Sequence, residues 1–474
     1  MPRTPAPTRR PITPRAAPTA AVTVKHQRGQ FFTQHPTVHR VMSSLVTHRT
    51  GRALEPSAGA GDLLALLEAE HPGLTLDGVE LDDSIIQLAA TPIVHDDFFH
   101  YSASRDGSYD LIFGNPPYVA WKQVEASTRL SAAAVKERYS DKTNLYHLFI
   151  DRCADLLAPG GELVFIVPKE WLYLTSAAPL RRKLAEQGAL THVIDAGEEK
   201  LFSDASVPAL LIFRWVKAAP QEPVAFAETI DDAVAGHFVS RTLTSSRDRW
   251  MLMPQSLERV VSDWGTLSDQ YVVRVGLITG LDRAFKLSAT DDIEPACVQY
   301  QADTSRSLVR FLNVNTVASE PDLPPLAAAH LRPHEAALRA RRIAHFTDDN
   351  WWKYGAIRNE EHMRAPTERF FALVKTRSPQ PFFSLPGAQF FTGGLLGIFR
   401  RPEASVSIDT AVALLNSPAY RPVLQAMFLI TADKVSLQPS TLMDVPFPRT
   451  EHEAQTFLSL AHASRMSAGD FATA

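Results

Sequence analysis

Between Gly51 and Val216, short apolar runs alternate with helical patterns, and this alternation constrains the fold more than any other feature of the 474-residue chain. The spacing predicts strands at residues 52–56, 74–81, 92–96, 109–115, 162–168, 191–195 and 209–216. It predicts helices at 61–70, 84–90, 145–157 and 178–187. Such β-α order implies an α/β fold, a doubly wound seven-stranded sheet with helices on both faces. Ligands bind such sheets at the C-terminal ends of the strands. The residues that follow each strand are therefore the candidates for chemistry.

The first strand runs into Glu55-Pro56-Ser57-Ala58-Gly59-Ala60-Gly61-Asp62 and opens a helix. Its glycines permit a tight turn and close approach of backbone to a ligand. A dinucleotide fingerprint is excluded because the third glycine is missing, and a phosphate-cradling loop because no Gly-Lys-Ser/Thr follows. Glu55 would repel phosphate and suit a cationic ligand. Glu80 ends the second strand, where a carboxylate can accept from both hydroxyls of a ribose. Asp97-Phe98 ends the third, with an acceptor for an exocyclic amine and a ring to cover a base. An adenine, a ribose and a positive centre together describe S-adenosylmethionine.

The fourth strand ends in Asn115-Pro116-Pro117-Tyr118. Two prolines remove two backbone donors at the strand's edge. What remains is an amide, acceptor-only carbonyls and an aromatic ring, a set suited to holding a planar amine under a ring.

The order of these motifs resembles class I S-adenosylmethionine-dependent methyltransferases, with their Rossmann-like fold. It is closest to the gamma-class N6-adenine DNA methyltransferases of restriction–modification systems. That resemblance extends to Gly29-Gln30-Phe31-Phe32-Thr33 ahead of the glycine loop, with Gln34 where the family usually has proline. It continues through Lys142-Thr143-Asn144-Leu145-Tyr146 and Leu157-Ala158-Pro159-Gly160-Gly161 to Leu201-Phe202. It implies that Thr33 contacts the cofactor's methionine carboxylate. It implies a cofactor pocket of Thr33, Glu55, Pro56, Gly59, Gly61, Glu80, Asp97 and Phe98. The target base would be held by Asn115, Pro116, Pro117 and Tyr118, with Phe202 on its other side. The partner would be double-stranded DNA, with no metal required. Cleavage would come from a separate cognate restriction endonuclease, because the segment before residue 29 is too short to hold a nuclease domain.

Charge and composition delimit the rest. Residues 1–54 carry nine Lys/Arg and no Asp/Glu, whereas 55–244 carry 15 basic and 28 acidic residues. A uniformly basic nucleic-acid binder is thereby excluded, and local basic surfaces are what phosphate contact requires. Residues 1–24 read as a disordered basic tail, rich in Pro, Thr, Ala and Arg. The catalytic domain is expected at 25–217, a connector at 218–244 and a mixed target recognition domain at 245–474. Within the last, Val275–Phe285 resembles the opening of such a domain, and 434–438 and 445–448 its close. Residues 332–377 hold ten Lys/Arg against six Asp/Glu, interleaved with Trp351, Trp352, Tyr354, Phe370 and Phe371. That mixture, with the cluster Arg339, Arg341 and Arg342, suits phosphate contact and wedging beside a displaced base. It equally suits a solvated basic face over core aromatics. Two distant cysteines, Cys153 and Cys297, no secretory signal core and no membrane-length apolar run point to the cytoplasm.

The tetrad itself leaves two rivals open. Asn-Pro-Pro-Tyr also occurs in methyltransferases acting on RNA or on a protein glutamine amide. A DNA-binding protein on an inactive methyltransferase scaffold would carry the same fold.

Overall fold

The computed structural model describes residues 35–85, 89–197, 209–246, 248–341, 349–431 and 434–463. The expected N-terminal tail, Thr33, Phe202 and Arg342 lie outside the described residues. The chain forms two compact units, Met1–Val239 and Ser240–Ala474. Among the described residues, no helix is long and apolar enough to cross a membrane.

The first unit contains all seven expected strands: β1 (Gly51–Glu55), β2 (Leu74–Glu80), β3 (Ile93–His95), β4 (Tyr109–Gly114), β5 (Leu157–Pro168), β6 (Gly188–Gly197) and β7 (Leu210–Lys217). An eighth, β8 (Val224–Ala227), pairs parallel with β6. Their order in the sheet is β8-β6-β7-β5-β4-β1-β2-β3. Neighbours from β5 to β3 run parallel, and β7 lies antiparallel between β5 and β6. The central strands β4, β5 and β7 are almost wholly buried, which explains why they read as continuous apolar runs.

Eight α-helices accompany these strands among the described residues of this unit. They are α1 (Pro36–Ser44), α2 (Asp62–Glu70), α3 (Phe98–Ser102), α4 (Ala126–Ser131), α5 (Ala133–Lys136), α6 (Leu145–Leu156), α7 (Ala178–Gln187) and α8 (Ile230–Val234). Pro36 starts α1 at a position where a missing N–H costs nothing. Val38, Val41 and Met42 of α1 and Leu63 and Leu67 of α2 pack on Leu111, Phe113, Val164, Ile166 and Ile212 of the sheet. Each such side chain taken out of water stabilises the unit by about 1.5–3 kcal/mol.

Two expectations need correction. The segment 218–244 is not a bare connector: it holds β8, α8 and the start of a further strand. Pro220 and Pro223 precede β8 rather than prevent it. The helix expected at 84–90 is not seen in its described residues, which form turns and bends around 86–88.

The second unit is mixed. Strands Val239–Ser246 and Arg249–Pro254 form an antiparallel pair. A four-stranded antiparallel sheet follows the order Tyr271–Val275, Leu395–Arg400, Arg369–Leu373, Phe382–Phe383. A three-stranded sheet joins Leu308–Leu312, Val298–Ala302 and Phe390–Phe391. The segments singled out in sequence are structural joints here. Leu277 donates to the Phe391 carbonyl at 2.8 Å, Lys434–Ser436 pairs with Lys375–Thr376, and Pro446–Phe447 pairs with Gly265–Thr266.

Candidate active site

Strand order reverses at β1, which lies between β2 and β4, so a crevice opens beyond the C-terminal ends of β1 and β4. Glu55 ends β1, and Asn115 follows β4 directly. The fold therefore places the acidic glycine loop beside the proline tetrad.

The glycine loop is tied down on both sides. Gly59 and Gly61 adopt φ of +56° and +91°, backbone that other residues enter only with strain. A Cβ on Gly61 would also stand 3.0 Å from the Ala89 methyl. Ala58 donates to the Val79 carbonyl at 2.8 Å, and Gly59 donates to Glu80 Oε2 at 2.8 Å. Glu80 Oε1 accepts from the Asp82 amide at 3.0 Å. Each carboxylate oxygen thus keeps one acceptor position for a ligand. On the other side, the Ser57 hydroxyl donates to the Asn115 carbonyl at 3.1 Å, linking loop to tetrad.

Glu55 is 2% exposed and its Oε2 has no hydrogen-bond partner. Burial, reinforced by the negative charges of Glu80 and Asp62, holds its carboxyl well above the usual carboxylate range. A buried acid with one oxygen unpartnered fits a ligand that brings a donor or a positive charge.

Asp97 is more heavily engaged than its position suggested. It caps α3, accepting from the Phe99 amide at 2.9 Å, and its other oxygen accepts from the Thr128 hydroxyl at 2.6 Å. The Ser131 hydroxyl adds a third bond at 2.7 Å. Oδ2 keeps one acceptor position. Phe98 departs from its expected place over a base. It is buried and stacked on Phe149, with ring centroids 4.6 Å apart, because the short α3 turns it inward.

In the tetrad, Pro116 is buried while Asn115, Pro117 and Tyr118 are half-buried. The Tyr118 hydroxyl reaches the Asn115 side-chain oxygen and lies 2.9 Å from the Ile166 carbonyl. Its oxygen is sealed from water, which pushes the phenol well above its ordinary pKa and keeps it neutral. Tyr146 packs edge-on against the Tyr118 ring at 5.9 Å.

The segment Lys142–Tyr146, noticed in sequence only through resemblance, supports this arrangement. Leu145 donates to the Val119 carbonyl at 2.8 Å and Trp121 to the Thr143 carbonyl at 3.1 Å. Asn144 caps α6, with the His147 ring completing the capping box. Burial drives the His147 ring down to about 3, so it stays neutral and can accept from the Asn144 amide. His147 and Ile166 were missed by reading motifs alone, and Ser57 and Tyr146 were quoted without a role. Their roles are long-range contacts that no local pattern marks.

In the basic, aromatic stretch of the second unit, the structure favours core aromatics, the second of the two readings. Trp351, Trp352, Tyr354, Phe370 and Phe371 are all core residues. Arg339 pairs with Glu335 at 2.9 Å and Glu320 at 3.2 Å. Arg341 donates to the backbone carbonyls of Thr279, Trp351 and Lys353, and burial lowers its guanidinium to about 10. Arg339 and Arg341 are thus engaged within the unit, whereas Arg332 and Arg358 of the same stretch are exposed.

Residues 75–202 match the Eco57I restriction-modification methylase family. Over 90% of both chains, the protein is 23% identical to the Type II methyltransferase M.HindII of Haemophilus influenzae. It is 36% identical to M.TthHB8I of Thermus thermophilus over 34% of this chain and 39% of that one. Among solved structures, the Type IIL restriction-modification enzyme MmeI, determined in complex with DNA, shares the fold. It aligns with a TM-score of 0.51 and 10% identity, over 90% of this chain and 71% of that one.

Proposed function

We propose that the chain, whose residues 75–202 match the Eco57I restriction-modification methylase family, is the site-specific DNA methyltransferase of such a system. Its substrate is N6 of adenine in duplex DNA, and its cofactor is S-adenosylmethionine. The observation that carries this reading is the juxtaposition of Glu55 and Asn115 at the switch point of the sheet.

An adenine inside a duplex cannot present N6 to a recessed site, so the base leaves the stack. The Asn115 side-chain oxygen and the Pro116 carbonyl accept the two N6 protons. Those bonds favour a more tetrahedral nitrogen, whose lone pair is then available. They strengthen as the transition state forms, so they act on rate rather than on binding alone. The Tyr118 ring supports the extruded base, and by resemblance Phe202 covers its other face. Base–aromatic stacking contributes about 1–3 kcal/mol against the loss of base stacking. Bound S-adenosylmethionine supplies an electrophilic methyl group. Glu80 receives its ribose hydroxyls, Asp97 Oδ2 its adenine amine, and Glu55 balances its positive charge. By resemblance Thr33 meets its carboxylate. Pro56, Gly59 and Gly61 shape the turn around it.

We assign target recognition to the second unit, Ser240–Ala474, and place cleavage in a separate cognate endonuclease. The tetrad alone also fits RNA or a glutamine amide. The alignment with DNA methyltransferases across both units favours DNA. Expression in a host lacking adenine methylation, followed by methylation-sensitive sequencing, tests the reading. N6-methyladenine should appear at one short motif and vanish with Asn115→Ala while cofactor binding survives. Unmodified DNA in the wild-type host would overturn it.

A further inference from the structure

The chain between the tetrad and α6 forms a strap whose two ends are fastened to each other directly after the tetrad. Ala120 bridges to Asn144, and Trp121 donates to the Thr143 carbonyl at 3.1 Å. The strap's helix α4 has two distinct edges. Thr128 and Ser131, one turn apart, both donate to Asp97 at 2.6 and 2.7 Å. The intervening residues face outward, and Leu130 is 80% exposed, the most exposed large hydrophobic side chain among the described residues.

A lone exposed leucine needs no partner. Here it stands beside a cationic group. The exposed Arg129 lies 5.9 Å from the half-exposed Trp121 ring, and Lys136 lies 5.2 Å from the same ring. Residues 119–142 carry five Lys/Arg against three Asp/Glu. The rest of 55–244 carries ten against 25, obtained by subtracting those counts from 15 and 28. The strap is thus a basic island in an acidic domain, so a polyanion is attracted here and repelled elsewhere on that stretch.

We propose that the strap is a DNA-contacting element, in which Leu130 wedges into the base stack beside the target base and Arg129 and Lys122 meet the flanking phosphates. Apolar wedges flanked by cations are a general means of unstacking a base step. The strap would stabilise the gap that the extruded base leaves. Its inner edge on Asp97 keeps the wedge in register with the active site. This inference rests on the DNA methyltransferase reading and adds the element that handles the duplex.

The test uses the full chain, tritiated S-adenosylmethionine and unmodified bacteriophage λ DNA. Leu130→Ser should lower kcat/KM for DNA about tenfold, as expected when an apolar wedge that offsets part of the few kcal/mol of unstacking is lost. Leu130→Met should restore most of it. Arg129→Glu and Lys122→Glu should raise KM for DNA and reduce the salt dependence of binding by about one unit of slope each. Melting temperature and cofactor affinity without DNA should match wild type in every variant, as these side chains are exposed. If the wild type methylates DNA and all variants retain its kinetics and salt dependence, the strap has no such role. If the folded wild type transfers no methyl group to DNA, the functional reading and this inference fall together.

Discussion

The Tyr118 hydroxyl stands between the Asn115 side-chain amide and the Ile166 carbonyl, 2.9 Å from the latter. A phenol has one proton, so it serves one acceptor at a time. When it donates to the Asn115 side-chain oxygen, it braces the amide that is assigned to the target amine. The ring of the tetrad tyrosine thus has a second task besides stacking. Tyr118→Phe keeps the ring and removes the brace. Losing a partner in a buried polar group costs about 1–3 kcal/mol. We expect kcat to fall about tenfold, the rate equivalent of 1.4 kcal/mol, with KM for DNA changed less than twofold. Steady-state kinetics on DNA decides it, and an unchanged kcat would reduce Tyr118 to a stacking surface.

Glu80 holds the glycine loop through the Gly59 amide and also faces the assigned ribose position. Glu80→Ala removes both roles. Cofactor affinity, measured by titration calorimetry, should weaken by about 10- to 100-fold, the range for one or two charge-assisted hydrogen bonds. A dissociation constant equal to that of wild type rules out the ribose assignment.

Asp97 carries the fold as well as the site. Its carboxylate caps α3 and receives the Thr128 and Ser131 hydroxyls. Loss of a cap alone costs about 1 kcal/mol. Asp97→Ala should lower the melting temperature by at least about 2–4 °C, as expected for a unit of this size. Calorimetry without cofactor isolates that structural part, and a melting temperature that does not move would contradict it.

The sheet was legible because its central strands β4, β5 and β7 are nearly all buried, which writes them as apolar runs. The strand-end positions of Glu55, Glu80, Asp97 and Asn115 were legible because each follows directly from the strand pattern. Phe98 misled because an aromatic after a strand looks the same whether it covers a ligand or, as here, stacks on Phe149. The residues that brace the tetrad, Tyr146 and Ile166, lie 28 and 48 positions beyond Tyr118 and carry no local signal. Arg339 and Arg341 left two readings open for another reason. Charge in sequence does not say whether a guanidinium meets a phosphate, a carboxylate or a carbonyl.

Arg341 therefore offers a direct check on the second unit. Its guanidinium closes over three backbone carbonyls, from Thr279, Trp351 and Lys353. Arg341→Met keeps much of the aliphatic stem and removes those donors. Buried carbonyls left short of a partner cost about 1–3 kcal/mol. The variant should melt lower while its salt dependence of DNA binding stays that of wild type. A reduced slope with unchanged stability would return Arg341 to the DNA-facing surface.

Glu55 provides the pH test. Its folded carboxyl titrates well above the ordinary value of 4.5, through burial and the neighbouring Glu80 and Asp62. Between 4.5 and that raised value, the folded state without cofactor binds more protons than the unfolded chain. Stability from this group is therefore fully present below 4.5 and is lost as pH rises toward the folded value. Glu55→Gln has no proton to lose. Without cofactor, its melting temperature relative to wild type should climb as pH increases from 4.5. With cofactor present the order should reverse, because the carboxylate then faces a positive charge that glutamine cannot balance. Parallel melting curves for the two proteins at every pH would show that Glu55 is not the buried, uncompensated acid of this pocket.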